Sequence, residues 1–140
     1  MPARARAAPV SSARLMGFAK NRIGGFLHWG FNQFPGGMNP FLATECPNDT
    51  GIGTDFPCGD SFMVYPGTDG PWLGTRFEAW RMGAEDMELL CLLQEKDPAK
   101  ADSLIGKLFT DNQHYNADPS HFESVYEELL DALASIRCQG

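Results

Sequence analysis

Apolar and polar positions follow different periods along this chain, and the changes of period divide it into elements. After an Ala-, Arg- and Pro-rich start, Leu15, Met16, Phe18 and Ala19 are spaced as packing residues of a helix that Ser11 or Ser12 can cap and that runs to about Asn21. Gly24-Gly25 ends it. The next run, Phe26-Leu27-His28-Trp29, is short, apolar and bounded by glycines, which predicts a buried strand. Residues 33–60 keep no period and hold Pro35, Gly36-Gly37, Pro40, Pro47, Gly51, Gly53, Pro57 and Gly59. A loop of that length in a compact domain is functional or disordered. Its Phe34, Met38, Phe41, Leu42, Ile52 and Phe56 are too apolar for a disordered tail and predict a loop packed on its own side chains.

Ser61-Phe62-Met63-Val64-Tyr65 predicts a second strand, closed by Pro66-Gly67, with a turn at Asp69-Gly70-Pro71. Three helices follow. Thr75 and Glu78 have the spacing of a capping box, and Phe77, Trp80, Ala84, Met87, Leu90 and Cys91 recur at helical intervals, widened by Leu89, Leu92 and Leu93. Asp97-Pro98 opens the next helix through Leu104, Ile105 and Leu108. Asp118-Pro119 opens the last, with Phe122, Val125, Leu129, Ala132, Leu133 and Ile136 as its apolar stripe. Residues 1–10 are expected to be disordered. Two strands at most cannot make a closed sheet, and a buried unpaired ladder group costs on the order of 1–3 kcal/mol. The pattern therefore predicts a piece of a larger α/β domain, or a chain that completes its sheet with another chain.

Composition narrows the chemistry. The 140 residues are 43% hydrophobic and 21% charged, enough for one domain with a core. The net charge of −7 argues against nucleic acid as a partner. No run reaches the roughly 20 apolar residues of a membrane helix, and the first residues lack the apolar stretch of a signal peptide, so the expectation is no membrane partner and, for the chain as it stands, the cytoplasm. Cys46, Cys58, Cys91 and Cys138 form no C-x-x-C pair and complete no zinc pattern. Cys91 reads as a small core residue, while Cys46 and Cys58 can pair only in an oxidising compartment. Asn48-Asp49-Thr50 matches a glycosylation sequon, which matters only with export. His114 and His121 carry no metal argument.

Three segments, Gly25 to Asn32, Gly59 to Gly67 and Arg76 to Leu90, together resemble, in order, the C-terminal part of the catalytic domain of glycoside hydrolase family 123. The similarity runs from about Ser11 to about Ala134, so residues 11–137 are taken as one partial domain. The resemblance implies the C-terminal portion of a (β/α)8 barrel, mostly helical in isolation. Residues 11–22 then correspond to the seventh helix, 25–29 to the eighth strand, 30–74 to the loop after it and 75–94 to the eighth helix. It implies hydrolysis of terminal N-acetyl-β-galactosaminides, in which the substrate's acetamido oxygen attacks the anomeric carbon. An adjacent Asp-Glu pair on an earlier strand assists, an exception to the two-carboxylate scheme. No position here matches that pair. Glu85-Asp86 falls in the stretch that resembles the eighth helix, pointing away from the barrel mouth. No cofactor and no metal are expected.

The expected partner is an N-acetylhexosamine glycoside, with the upstream part of the barrel or a second copy as the protein partner. Trp29 ends the expected strand, where barrel enzymes place active-site groups, and its indole can stack on a sugar ring. Asn32 and Asp60 can hydrogen-bond sugar hydroxyls or turn the chain, and Tyr65 before Pro66 is a weaker candidate of the same kind. His28 alternates with Trp29 in a strand and so is expected to point the other way, as a structural histidine. Arg76, Glu78 and Arg81 suit capping and helix-surface pairing. A non-catalytic module that binds a carbohydrate or a protein is the alternative. A truncated product begun at an internal Met1, without function, is the third reading.

Overall fold

A computed structural model describes residues 16–25, 27–34, 37–43, 45–48, 50–111, 114–116 and 118–137. The expectations for residues 1–10, for a cap at Ser11 or Ser12 and for Cys138 lie outside the described residues. Residues 16–20 are helical, followed by β1 (Val64–Pro66), β2 (Pro71–Leu73), α1 (Thr75–Lys96), α2 (Pro98–Leu108) and α3 (Pro119–Arg137). The described chain is mostly helical with one small sheet, as a partial α/β domain is. It divides into two units, residues 1–25 with 79–140, and residues 26–78.

The first unit holds the main core. Asp97 caps α2, its carboxylate accepting from the Lys100 N–H at 3.0 Å, with Pro98 in the first turn, where its missing N–H costs nothing. Asp118 does the same for α3 through the Ser120 N–H at 3.0 Å. Leu104, Ile105 and Leu108 of α2 and Phe122, Val125 and Leu129 of α3 are buried together, with Met16 and Ala19 and with Leu90 and Leu93 of α1. The Lys20 ammonium donates to the Phe109 carbonyl at 2.9 Å, satisfying an orphan acceptor at the end of α2 and placing a cation at its negative pole. Cys91 packs against this core, as read from the sequence. Burial, then the charges of Glu88 and Glu95, push its thiol pKa up, so it is a poor nucleophile at neutral pH.

In α1 the buried stripe is Ala79, Gly83, Asp86, Leu90 and Leu93. It lies on the 3–4 spacing of a helix face, but rotated from the expected one: Ala84 is exposed and Leu92 is 49% exposed. Small residues and one carboxylate are buried in the first half of the stripe, which a reading based on large apolar residues could not select. The helix also starts one residue early, since the carbonyl of Gly74 already accepts from the Glu78 N–H at 3.2 Å.

The second unit departs most from expectation. Residues 27–29 form no strand, Leu27 is 86% exposed and Phe26 is outside the described residues. Pairing begins later, where Asn32 bridges Phe62 and the Met63 N–H donates to the Phe31 carbonyl at 3.0 Å. A strand exists only where a neighbour takes its ladder groups, and here that neighbour engages Phe31 and Asn32. The second strand is shifted to Val64–Pro66 and pairs antiparallel with β2, Val64 against Leu73 and Tyr65 against Trp72. Pro66 faces Pro71 at the end of the ladder, where neither needs an N–H, so the proline expected to stop the strand closes it from within. Asp69-Gly70 lies in the turn as expected, and Pro71 opens β2.

Candidate functional site

The segments around residue 30 and residue 60 are brought side by side within the second unit. Ser61 is fully buried, and its hydroxyl donates to the Gln33 carbonyl at 3.1 Å. Gly30 passes close by: a Cβ there would lie 3.1 Å from that of Ser61. The Asp60 N–H donates to the Pro57 carbonyl at 2.9 Å and the Phe62 N–H to the Gly59 carbonyl at 3.1 Å, which turns Asp60 toward residues 28 and 29.

Asp60 is the centre of the arrangement. Its Oδ2 accepts from the Trp29 indole N–H at 2.6 Å, and its Oδ1 lies 3.2 Å from His28 Nε2. His28 Nδ1 lies 2.5 Å from the Gly30 carbonyl and 3.3 Å from the Gly30 amide nitrogen. The Trp29 ring stacks on Phe56, centroids 4.3 Å apart and planes 24° apart, and the residue remains 44% exposed. His28 therefore does not point away from Trp29. In a strand consecutive side chains oppose each other, but residues 27–29 are irregular, and both side chains reach one carboxylate.

Asn32 and Tyr65 meet elsewhere in the unit. Both line a cavity of about 240 Å³ whose other walls are Phe34, Val64, Pro66, Gly67, Gly70 and Pro71. Phe41 packs beside it, 5.5 Å from the Tyr65 ring and 6.0 Å from that of Trp72, with Phe41 54% and Trp72 51% exposed. The expected site residues thus form two pairs, Trp29 with Asp60 and Asn32 with Tyr65. Phe56, Phe41 and Trp72 were missed by sequence reasoning. Phe41 and Phe56 were read only as loop packing, and Trp72 stands in a three-residue strand too short to show alternation.

The Cys46 and Cys58 thiols are both free, Cys46 buried and Cys58 exposed, so the pairing that an oxidising compartment permits is not made. Asn48 accepts from the Thr50 hydroxyl at 2.6 Å and the Thr50 N–H at 3.0 Å, a local turn. Arg81 pairs with Glu85 at 2.5 Å on the surface of α1, as expected, whereas Arg76 reaches back to the Cys58 carbonyl at 3.3 Å. Glu85 is exposed and Asp86 is 1% exposed, so the adjacent carboxyls diverge around the helix. Among the described residues no three His, Cys, Asp or Glu side chains are grouped to hold a metal ion, and no helix is long and apolar enough to cross a membrane.

No curated protein matches the chain. The family model for the glycoside hydrolase 123 catalytic domain matches residues 1–93. That span takes in the whole second unit, with both pairs of site residues, and α1 as far as Leu93; α2 and α3 lie beyond it. With 93 of its 140 residues matched, the chain belongs to the family of glycoside hydrolase 123 catalytic domains.

Proposed function

We propose that residues 26–78 form one wall of the sugar pocket of a glycosidase domain, with Trp29 as the stacking platform and Asp60 as its support and as an acceptor for sugar hydroxyls. The observation that carries this reading is the half-exposed indole of Trp29, tied to a carboxylate inside the family-matched span. The C–H face of a pyranose is apolar and slightly positive, and it complements the negative face of an indole. Asp60 offers about four lone-pair sites, and His28 and Trp29 take two. Asn32 and Tyr65 bring a carboxamide and a phenol to a separate cavity of the same unit, which suits an acetamido-bearing sugar.

The family resemblance supports a terminal N-acetyl-β-galactosaminide as the substrate, and a position for residues 30–74 after the last strand of a (β/α)8 barrel. The chain itself is proposed to be non-catalytic. The divergence of Glu85, exposed and paired with Arg81, from Asp86, buried in α1, supports this reading, because two carboxyls on different faces of a helix are poorly placed to act on one anomeric carbon. The upstream part of a barrel, or a second copy, would complete the pocket. A non-catalytic module that binds a protein is favoured by a separate observation, the exposure of Leu27, Leu42 and Ile52 at 86%, 83% and 72%.

Titration with N-acetylgalactosamine, read by tryptophan fluorescence, separates these readings. A saturable change that disappears in Trp29→Ala is expected. A change that survives Trp29→Ala removes the platform, and a stable chain indifferent to sugar favours the protein-binding module. Turnover of an aryl N-acetyl-β-galactosaminide that Glu85→Gln abolishes would overturn the non-catalytic assignment.

A further inference from the structure

We infer that His28 is a positioning residue for Trp29, acting through Asp60. The inference deepens the proposed function and rests on its reading of Trp29 as the sugar platform. An indole has one donor, and Trp29 spends it on Asp60 Oδ2 at 2.6 Å, a short bond to a charged acceptor. That bond, with Phe56 stacked on the ring, sets the rotation of the indole. A carboxylate held at one oxygen can still turn about its own axis. The second oxygen of Asp60 is met by His28 Nε2 at 3.2 Å, which fixes the carboxylate plane and hence the direction in which it holds the indole.

The imidazole is held in turn. Its Nδ1 faces both the carbonyl and the amide nitrogen of Gly30, at 2.5 and 3.3 Å. Two protonation states keep the bond to Asp60. The neutral ring with its proton on Nε2 donates to Asp60 and accepts the Gly30 N–H at Nδ1. The imidazolium donates to Asp60 and to the Gly30 carbonyl. Among the described residues, charged groups at this turn include Arg76, whose guanidinium lies over Gly59, and Glu45, whose carboxylate takes the Cys58 thiol. Three side chains from two segments thus form one chain of support, Gly30 to His28 to Asp60 to Trp29, in which Trp29 offers the stacking face, Asp60 its remaining acceptor sites, and His28 touches no sugar.

The indole N–H of Trp29 reports this arrangement without any sugar. The protein has three tryptophans, and Trp29→Phe identifies the signal of Trp29 in an indole N–H spectrum. In His28→Ala that signal is expected to move upfield and to exchange with solvent about threefold to tenfold faster, the range of one hydrogen bond. The other two signals stay in place, and affinity for N-acetylgalactosamine falls by a similar factor. His28→Gln, whose carboxamide N–H can reach Asp60, is expected to restore both readouts, which a loss of mere bulk would not do. Where His28→Ala fails to fold, His28→Phe keeps the ring bulk without the N–H and is expected to show the same upfield shift. A Trp29 signal indifferent to loss of the His28 N–H, or unrestored by His28→Gln, overturns the inference. Sugar binding unaffected by Trp29→Ala overturns the platform alone, because the indole signal reports His28 without sugar.

Discussion

At Gly59 a single hydrogen atom in place of a side chain serves two needs. Its φ of +70° lies in the left-handed region, and a Cβ there would come within 2.2 Å of the Arg76 guanidinium. The two demands differ in cost. An L-residue other than Asn or Asp loses about 1–2 kcal/mol in that backbone conformation. The guanidinium is the free end of an exposed side chain and can swing aside, giving up its bond to the Cys58 carbonyl. Gly59→Ala is therefore expected to lower stability to urea by about 1–2 kcal/mol. Gly59→Asn carries the same Cβ but tolerates the backbone, so it should recover most of the loss. Equal losses in the two variants would mean that displacement of Arg76, and not φ, sets the cost. The same turn aims Asp60, so a weakened Trp29–Asp60 contact should accompany the loss.

Between α2 and α3 the pairing is apolar inside and ionic outside. Glu128 of α3 meets Lys107 at 2.5 Å and Lys100 at 3.5 Å, both from α2. The hydrogen bond from Lys107 is the largest cause of a carboxyl pKa held below its ordinary value of 4.5; the charges of Lys107 and Lys100 add to it, and desolvation opposes it. A lowered folded-state value means that the unfolded chain takes up the proton first. The stabilisation is complete above the unfolded value and is lost as pH falls through the folded one. Urea melts at neutral and acid pH should show a shallower acid loss in Glu128→Gln, with the difference shrinking in high salt, because the pair faces solvent. An acid limb identical in the two proteins would leave the pair without a role. These two helices were also the most readable elements in the sequence. Asp97-Pro98 and Asp118-Pro119 are local signals, and a stripe such as Phe122, Val125 and Leu129 needs only its own helix to be seen. Residues 26–29 carried as clear an apolar signal, yet a strand also needs a neighbour, and the available one pairs with Asn32. The site divides along the same line. Trp29 and Asp60 could be named from residue type and position, but the convergence of His28 on Asp60 depends on irregular backbone at residues 27–29, and alternation predicted the opposite.

Across the whole molecule, apolar burial is unevenly distributed between the two units. The first buries Leu90, Leu93, Leu104, Leu108, Phe122, Val125 and Leu129 in one cluster, and part of it comes from α2 and α3, beyond the family-matched span. The second leaves Leu27, Leu42 and Ile52 largely in water and relies on bridges, a short hairpin and aromatic pairs. Removing the same three carbons from a leucine should therefore have very different consequences in the two places. Leu129 is 0% exposed, and Leu129→Ala loses both its transfer free energy and the packing around the space left behind, about 2–5 kcal/mol. Leu42 is 83% exposed, and Leu42→Ala should change stability by no more than about 0.5 kcal/mol. Urea melts followed by far-ultraviolet circular dichroism, which is dominated by the helices, give both numbers in one series. A loss at Leu42 comparable to that at Leu129 would mean that Leu42 is covered in solution, as it would be by a second copy of the chain. Dilution distinguishes that outcome, since stability that depends on protein concentration belongs to an assembly and not to one chain.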